Sequence, residues 1–176
     1  LKTMTKVVSS SDLVLSVSKF TRDEIINRLD GIDTNHVKFL PNGVDTNRFF
    51  PSGVDDAFLQ KYSIPVGSDI ILTLARIIKR KAHDDVIKAI PDILTEFPKA
   101  HYVIAGPHRK KDPYLHYLKQ LTKELSVEKH VTFIDFIPEE DLKKIYSVSK
   151  VYVMASRTLH ETGDSEGFGI TFLEAN

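Results

Sequence analysis

Two carboxylates, Glu166 and Glu174, stand eight positions apart in the last eleven residues of the chain, and Gly167-Phe168-Gly169-Ile170 follows the first of them. Glycines at 167 and 169 let the main chain take unusual dihedrals and approach a ligand closely. A helix starting near Phe168 would turn its first, unpartnered N–H groups toward that ligand, as a cradle for anionic and hydroxyl oxygens. Glu174, nearly two turns into such a helix, would present a different face from Glu166. The arrangement suits a polyhydroxylated anionic ligand, with one acid for sugar hydroxyls and the other for a ribose. The same residues also fit a glycine loop before a buried helix, with two solvated glutamates.

A second set of groups lies in Leu74-Ala75-Arg76-Ile77-Ile78-Lys79-Arg80-Lys81. Arg76 offers a planar fork for phosphate oxygens, and Lys81 adds a mobile point charge. Together they would neutralise a diphosphate, whose charge grows as it leaves. The alternative is a solvated basic turn, which is the expectation for Lys79 and Arg80. The run Arg109-Lys110-Lys111 is expected to be a solvated loop as well. None of the seven histidines has metal-ligand spacing, and no metal site is expected. His160, in the loop leading to Glu166, is a candidate to touch a sugar or acceptor. Asn42 and Gly43 follow an apolar run, where they either turn the chain or line a cleft.

These groups need a scaffold that brings them together. Short β-branched runs alternate with amphipathic stretches, the pattern of an α/β domain with a parallel sheet. Strands are predicted at 14–17, 37–40, 69–75, 100–105, 131–136 and 150–154. Helices are predicted from a capping box at Thr21 to about Leu29, over 55–62, 83–97 and 113–125, and after Pro138. Pro91 should kink the third of these or mark a boundary. Residues 156–165 read as a loop. In an open sheet of this kind, ligands bind beyond the carboxyl ends of the strands. The loops there start at Arg76, Gly106, Ile137 and Ala155, and three of the four carry nameable chemistry.

Composition narrows the classes. Hydrophobic residues at 41% and charged residues at 27% describe a globular protein. Lys+Arg and Asp+Glu are equal at 24 each, so no overall field favours nucleic acid or an anionic membrane. The absence of cysteine excludes disulfides, thiolate metal sites and cysteine nucleophiles, and it fits a cytoplasmic setting. No run is long enough to cross a membrane, which leaves only a peripheral membrane role. The chain opens at Leu1 and stops within a helix-like run, from which we expect a fragment.

Taken together, the segments resemble the retaining GT-B-fold glycosyltransferases of family 4, which use nucleotide-diphosphate sugars. The resemblance rests on Ser16-Val17-Ser18, on Pro41-Asn42-Gly43-Val44-Asp45, and on Leu74-Ala75-Arg76 with Lys81. It continues through Val103-Ile104-Ala105-Gly106 and Val131-Thr132-Phe133 to Glu166-Gly167-Phe168-Gly169-Ile170 with Glu174. It implies a Rossmann-like parallel sheet with flanking helices, one truncated half of a two-domain GT-B enzyme. Residues 1–35 would end the acceptor-side domain, and 36–176 would form the donor-binding domain.

The roles implied are specific. Arg76 and Lys81 would bind the donor diphosphate, and Glu166 the donor sugar. The amides of Phe168 to Ile170, after Gly167, would hold sugar and phosphate oxygens. Glu174 would bind the ribose, and main chain around Phe136 and Ile137 the base. Gly106, Asn42, Gly43 and His160 would line the cleft. The reaction would retain anomeric configuration without metal or cofactor. It would move a sugar from a UDP- or GDP-sugar to a lipid-linked, polysaccharide or other glycan acceptor. A non-catalytic nucleotide-sugar-binding module and a nucleotide-sugar epimerase of the same fold are the alternatives. The fragment alone should not transfer sugar. Two departures from the family pattern touch the phosphate loop: Ala75 and Ala82 stand where glycines are usual.

Overall fold

The computed structural model describes residues 2–108 and 111–176, for Lys2 the main chain alone; of the basic run at 109–111, Arg109 and Lys110 lie outside the described residues. By contact the chain divides into two compact units. One comprises the residues up to Val44 with Gly167–Ile170; the other comprises Asp45–Glu166 with Thr171–Asn176.

The first unit contains α1 (Lys2–Ser9), β1 (Val14–Ser16), α2 (Lys19–Arg28) and β2 (Val37–Phe39). The two strands pair in parallel, with Val14 opposite Val37. That pairing ties residues 37–39 to the preceding segment, and this compact unit runs through Val44. Helix α2 starts two residues before the predicted capping box. Ser18 is its N-cap, and its hydroxyl accepts from the Thr21 amide at 3.0 Å.

The second unit is an α/β layer built on β3 (Asp69–Leu74), β4 (Ala100–Ala105), β5 (Val131–Ile134) and β6 (Ser149–Tyr152). Helices α3 (Asp56–Lys61), α4 (His83–Glu96), α5 (Pro113–Glu124) and α6 (Glu139–Ser147) flank them, and the short α7 (Thr171–Ala175) follows. All pairings are parallel, in the order β5-β4-β3-β6. Every residue of β4 is buried, as a central strand covered on both faces must be. Its alternation splits the core in two. Tyr102 and Ile104 pack with Ile87, Ile90 and Leu118 from α4 and α5. Val103 and Ala105 pack with Phe58, Leu72, Ile134 and Ile145 on the opposite face. Burying each such aliphatic side chain contributes about 1.5–3 kcal/mol.

Two features position the loops above this sheet. The chain runs outward from β3 through β4 to β5, then returns to the other side of β3 to form β6. The strand order therefore reverses between β3 and β6, and the loops after these two strands diverge at that point. At the neighbouring strand ends, Gly106 (φ 151°) packs so closely on β3 that a Cβ there would lie 2.1 Å from the Ala75 carbonyl oxygen. Helix α4 continues through Pro91 and is not divided there.

Candidate functional site

Lys81 and Glu166 come together at this reversal point, Lys81 from the loop after β3 and Glu166 from the loop after β6. The Lys81 ammonium forms an ion pair with Glu166 Oε2 and lies 3.2 Å from Met154 Sδ. Arg80 Nη1 donates to the same Oε2 at 2.7 Å, and the Ser156 hydroxyl donates to it at 3.3 Å. The other carboxylate oxygen, Oε1, receives no donor among the described residues. Burial opposes ionisation of Glu166, but Lys81 and Arg80 overcome it and hold the carboxyl below its usual range. The site thus contains an ionised acid with one oxygen saturated and one open.

The short 3₁₀ turn Lys79–Lys81 explains how one basic run serves two purposes. Three residues per turn spread consecutive side chains around the axis. Lys79 points to solvent, while Arg80 is turned inward and left only 8% exposed. The expectation of a solvated Arg80 is therefore corrected. Arg80 Nε also lies 3.1 Å from Asp164, within ion-pair distance but outside hydrogen-bond geometry. Ala82 follows at φ 53° with its methyl fully buried, a left-handed position that suits the glycine usual there.

Arg76 is exposed, and its side chain makes no hydrogen bond or ion pair among the described residues. Its carbonyl is held by His83 Nε2 at 3.1 Å. A carbonyl only accepts, so Nε2 carries the proton. Burial keeps the ring neutral and lowers its pKa.

Sequence reasoning missed the partner side of this loop. Arg157 donates through Nη2 to Asp84 at 2.7 Å and to Asp85 at 2.8 Å, and its main-chain N–H donates to the Arg80 carbonyl at 2.9 Å. Buried Asp84 also accepts from the Tyr114 hydroxyl at 2.6 Å. Residues 156–165 are less loop-like than expected: the Leu159 amide donates to the Asp164 carbonyl at 2.8 Å, closing a compact turn. His160 sits exposed on that turn.

The other expected residues are placed as follows. Glu174 makes no hydrogen bond or ion pair with Arg76, Lys81 or Glu166; its Oε2 accepts from the Tyr146 hydroxyl at 2.7 Å. It lines a groove of about 220 Å³ with Phe49, Phe50, Lys143 and Ser147. The final helix starts at Thr171, not near Phe168, because Gly169 takes φ 81°, outside helical geometry. The Tyr152 hydroxyl anchors its start, 2.6 Å from Thr171 Oγ1 and 3.3 Å from the Leu74 carbonyl.

Gly167, Phe168, Gly169 and Ile170 group with the first unit, where the Gly167 carbonyl accepts from Thr21 Oγ1 at 3.4 Å. Asn42 is half-buried and Gly43 exposed in the same unit. The Ile137 side chain is buried in the core beside Ile134 and Ile145, while Phe136 stands 69% exposed. The Gly106 amide donates to the Ile134 carbonyl at 2.9 Å. Among the described residues no group of three or more His, Asp or Glu is arranged to hold a metal ion.

Residues 54–176 match the family model described as Glycosyl transferases group 1. The GDP-mannose-dependent alpha-(1-6)-phosphatidylinositol monomannoside mannosyltransferase of Mycobacterium tuberculosis is 32% identical over 171 residues, covering 97% of this chain and 43% of that protein. Its Mycolicibacterium smegmatis counterpart is 30% identical with the same coverage. The mannosylfructose-phosphate synthase of Agrobacterium fabrum is 30% identical over 96% of this chain and 36% of that protein. The chain therefore spans less than half the length of these relatives. Among solved structures, HepE of Anabaena in complex with UDP and glucose superposes with a TM-score of 0.80 at 18% identity, covering 99% of this chain and 44% of that one. The C-terminal domain of the group 1 protein LpcC from Francisella tularensis superposes with a TM-score of 0.61 at 30% identity, covering 76% and 65%.

Proposed function

The chain belongs to the glycosyl transferases group 1 family, and from that premise we propose that it carries the donor half of a retaining glycosyltransferase. The donor is a nucleotide-diphosphate sugar. GDP-mannose is favoured because the two mycobacterial relatives are named as GDP-mannose-dependent. The acceptor is a hydroxyl on a lipid-linked or other glycan, bound largely by residues outside this chain. No helix among the described residues is long and apolar enough to cross a membrane, and the proposed setting is cytoplasmic, with any membrane contact peripheral.

The observation that carries the reading is the meeting of Lys81 with Glu166 at the point where the strand order reverses. Arg76, exposed and without a side-chain partner among the described residues, and Lys81 supply two positive charges for the diphosphate. Glu166 offers its open Oε1 to sugar hydroxyls. Glu174 is assigned the ribose, main chain at Phe136 and Ile137 the base, and the amides of Phe168 to Ile170 the sugar and phosphate oxygens.

In the reaction the bond from the anomeric carbon to the diphosphate oxygen breaks. The acceptor oxygen bonds to that carbon from the same face, and its proton passes to the departing phosphate. Charge on the leaving group is largest in the transition state, so the two cations act mainly there. No metal is invoked.

The test is turnover by the full-length protein carrying this chain, with GDP-mannose or UDP-glucose and lipid or glycan acceptors. Nucleoside diphosphate release that requires acceptor, with a product of unchanged anomeric configuration, is the expected result. Conversion of the sugar nucleotide without acceptor would replace the reading with epimerisation. Binding without turnover would replace it with a non-catalytic module.

A further inference from the structure

We propose that Arg80 is a positioning residue that holds Glu166 in place, so that Lys81 is free to leave the carboxylate for the donor diphosphate. The inference rests on the donor-site reading above and deepens it.

Glu166 Oε2 is shared by two cations of different character. Lys81 carries a compact charge on a flexible stem, which can swing to a phosphate; Arg80 presents a rigid fork that stays charged. The geometry separates their tasks. The Arg80 side chain is 10% exposed and lies between two acids of the same loop, Glu166 at 2.7 Å and Asp164 at 3.1 Å. Its own carbonyl receives the Arg157 amide at 2.9 Å, and the Arg157 guanidinium returns to Asp84 and Asp85. The strip 80–85 and the loop 157–166 are thus tied in both directions, each by an arginine. If a diphosphate draws Lys81 away, Glu166 keeps a charged partner and its orientation. Without Arg80, the departure of Lys81 would leave the carboxylate with the Ser156 hydroxyl as its one remaining donor among the described residues.

Arg80→Lys and Arg80→Met in the full-length protein test this, with Asp164→Asn as a third variant that leaves the Arg80 side chain in place but loosens its seat. Binding of GDP and of GDP-mannose is measured by calorimetry, together with KM and kcat for transfer. The expected result is GDP affinity within about twofold of wild type, with kcat for transfer lowered at least tenfold in Arg80→Met and less in Arg80→Lys. Lys81→Met, by contrast, weakens both ligands.

Hydrogen exchange in the absence of ligand gives an independent readout. The Leu159 and Gly163 amides, bonded at 2.8 Å within the loop, should exchange faster in all three variants. Unchanged transfer in Arg80→Met, or equal loss of GDP and GDP-mannose binding with wild-type exchange, overturns the proposal. If the wild-type protein binds no nucleotide, the functional reading falls, and the exchange rates still decide whether Arg80 orders the loop. If Arg80→Met fails to fold, Arg80→Lys and Asp164→Asn carry the same test.

Discussion

Lys81 and Glu166, 85 positions apart, form an ion pair across the ends of two neighbouring parallel strands. The pair exists because the chain turns back to the other side of β3 after completing β5. In a sheet that grew in one direction only, the loops bearing these residues would be separated by two strands. The same oxygen of Glu166 is held by Arg80, which also lies 3.1 Å from Asp164, so this corner is a four-charge cluster rather than a simple pair.

That cluster predicts a stability effect separate from any activity. Glu166→Ala removes the acid facing a guanidinium that is only 10% exposed on its side chain. Leaving a charged donor poorly compensated costs about 1–3 kcal/mol. We expect a measurable loss in denaturant midpoint for Glu166→Ala, with part of it recovered in the Glu166→Ala/Arg80→Met double variant. Additive losses in that cycle would show that the two residues are not coupled.

Gly106→Ala should destabilise the second unit by at least about 2 kcal/mol, because the new methyl meets backbone rather than a side chain that can turn aside. The contact is with the Ala75 carbonyl, 2.1 Å from the added atom, and φ is 151°. The chain would have to separate the ends of β3 and β4, next to Arg76. Thermal unfolding checks this; a midpoint equal to wild type would mean that the two strand ends can separate without cost.

Acid should weaken the fold in a defined window. Burial, with a smaller contribution from His130, lowers the His101 pKa to about 4, and burial lowers that of His83 too. The unfolded chain binds protons on these rings near pH 6.5, before the folded chain does. Their contribution is therefore complete above pH 6.5 and is lost as pH falls through that value toward 4. Glu166 and Asp84 are held below the usual carboxylate range against the cost of burial, and their contribution is lost at still lower pH. Denaturant titrations at pH 7.5, 5.5 and 4.5 should show steadily falling stability. In His101→Asn the fall between the first two should be shallower.

Much of the frame was legible because its signals are local and strong. The β4 run 100–105 is continuously apolar apart from His101, and the stretches that became α4 and α5 repeat at the helical period, so their bounds fall within one residue of expectation. The Lys81–Glu166 meeting follows from the strand order, which neither periodicity nor composition reveals. Arg80 was illegible for a physical reason. In a Lys-Arg-Lys run the side chain turned inward is chosen by a 3₁₀ turn that composition does not reveal. Arg157 and Asp84 were hidden similarly: each looks like an ordinary surface charge until the loop and α4 are seen to share them. Helix α7 starts three residues later than expected because Gly169 takes a positive φ, which a glycine in the sequence permits but does not announce.

Arg76 and Lys81 are proposed to bind the diphosphate of a nucleotide sugar beside Glu166. The most direct test is calorimetric titration of the full-length protein with GDP, UDP, ADP and their sugars, alongside Arg76→Ala and Lys81→Ala. Removing one charged hydrogen bond to phosphate should cost roughly 1.5–3 kcal/mol, more than tenfold in affinity. The expected result is binding of one nucleotide family, with GDP favoured, insensitive to chelator and weakened at least tenfold in each variant. Tight binding that survives both substitutions, or no binding by a folded wild-type protein, would contradict it.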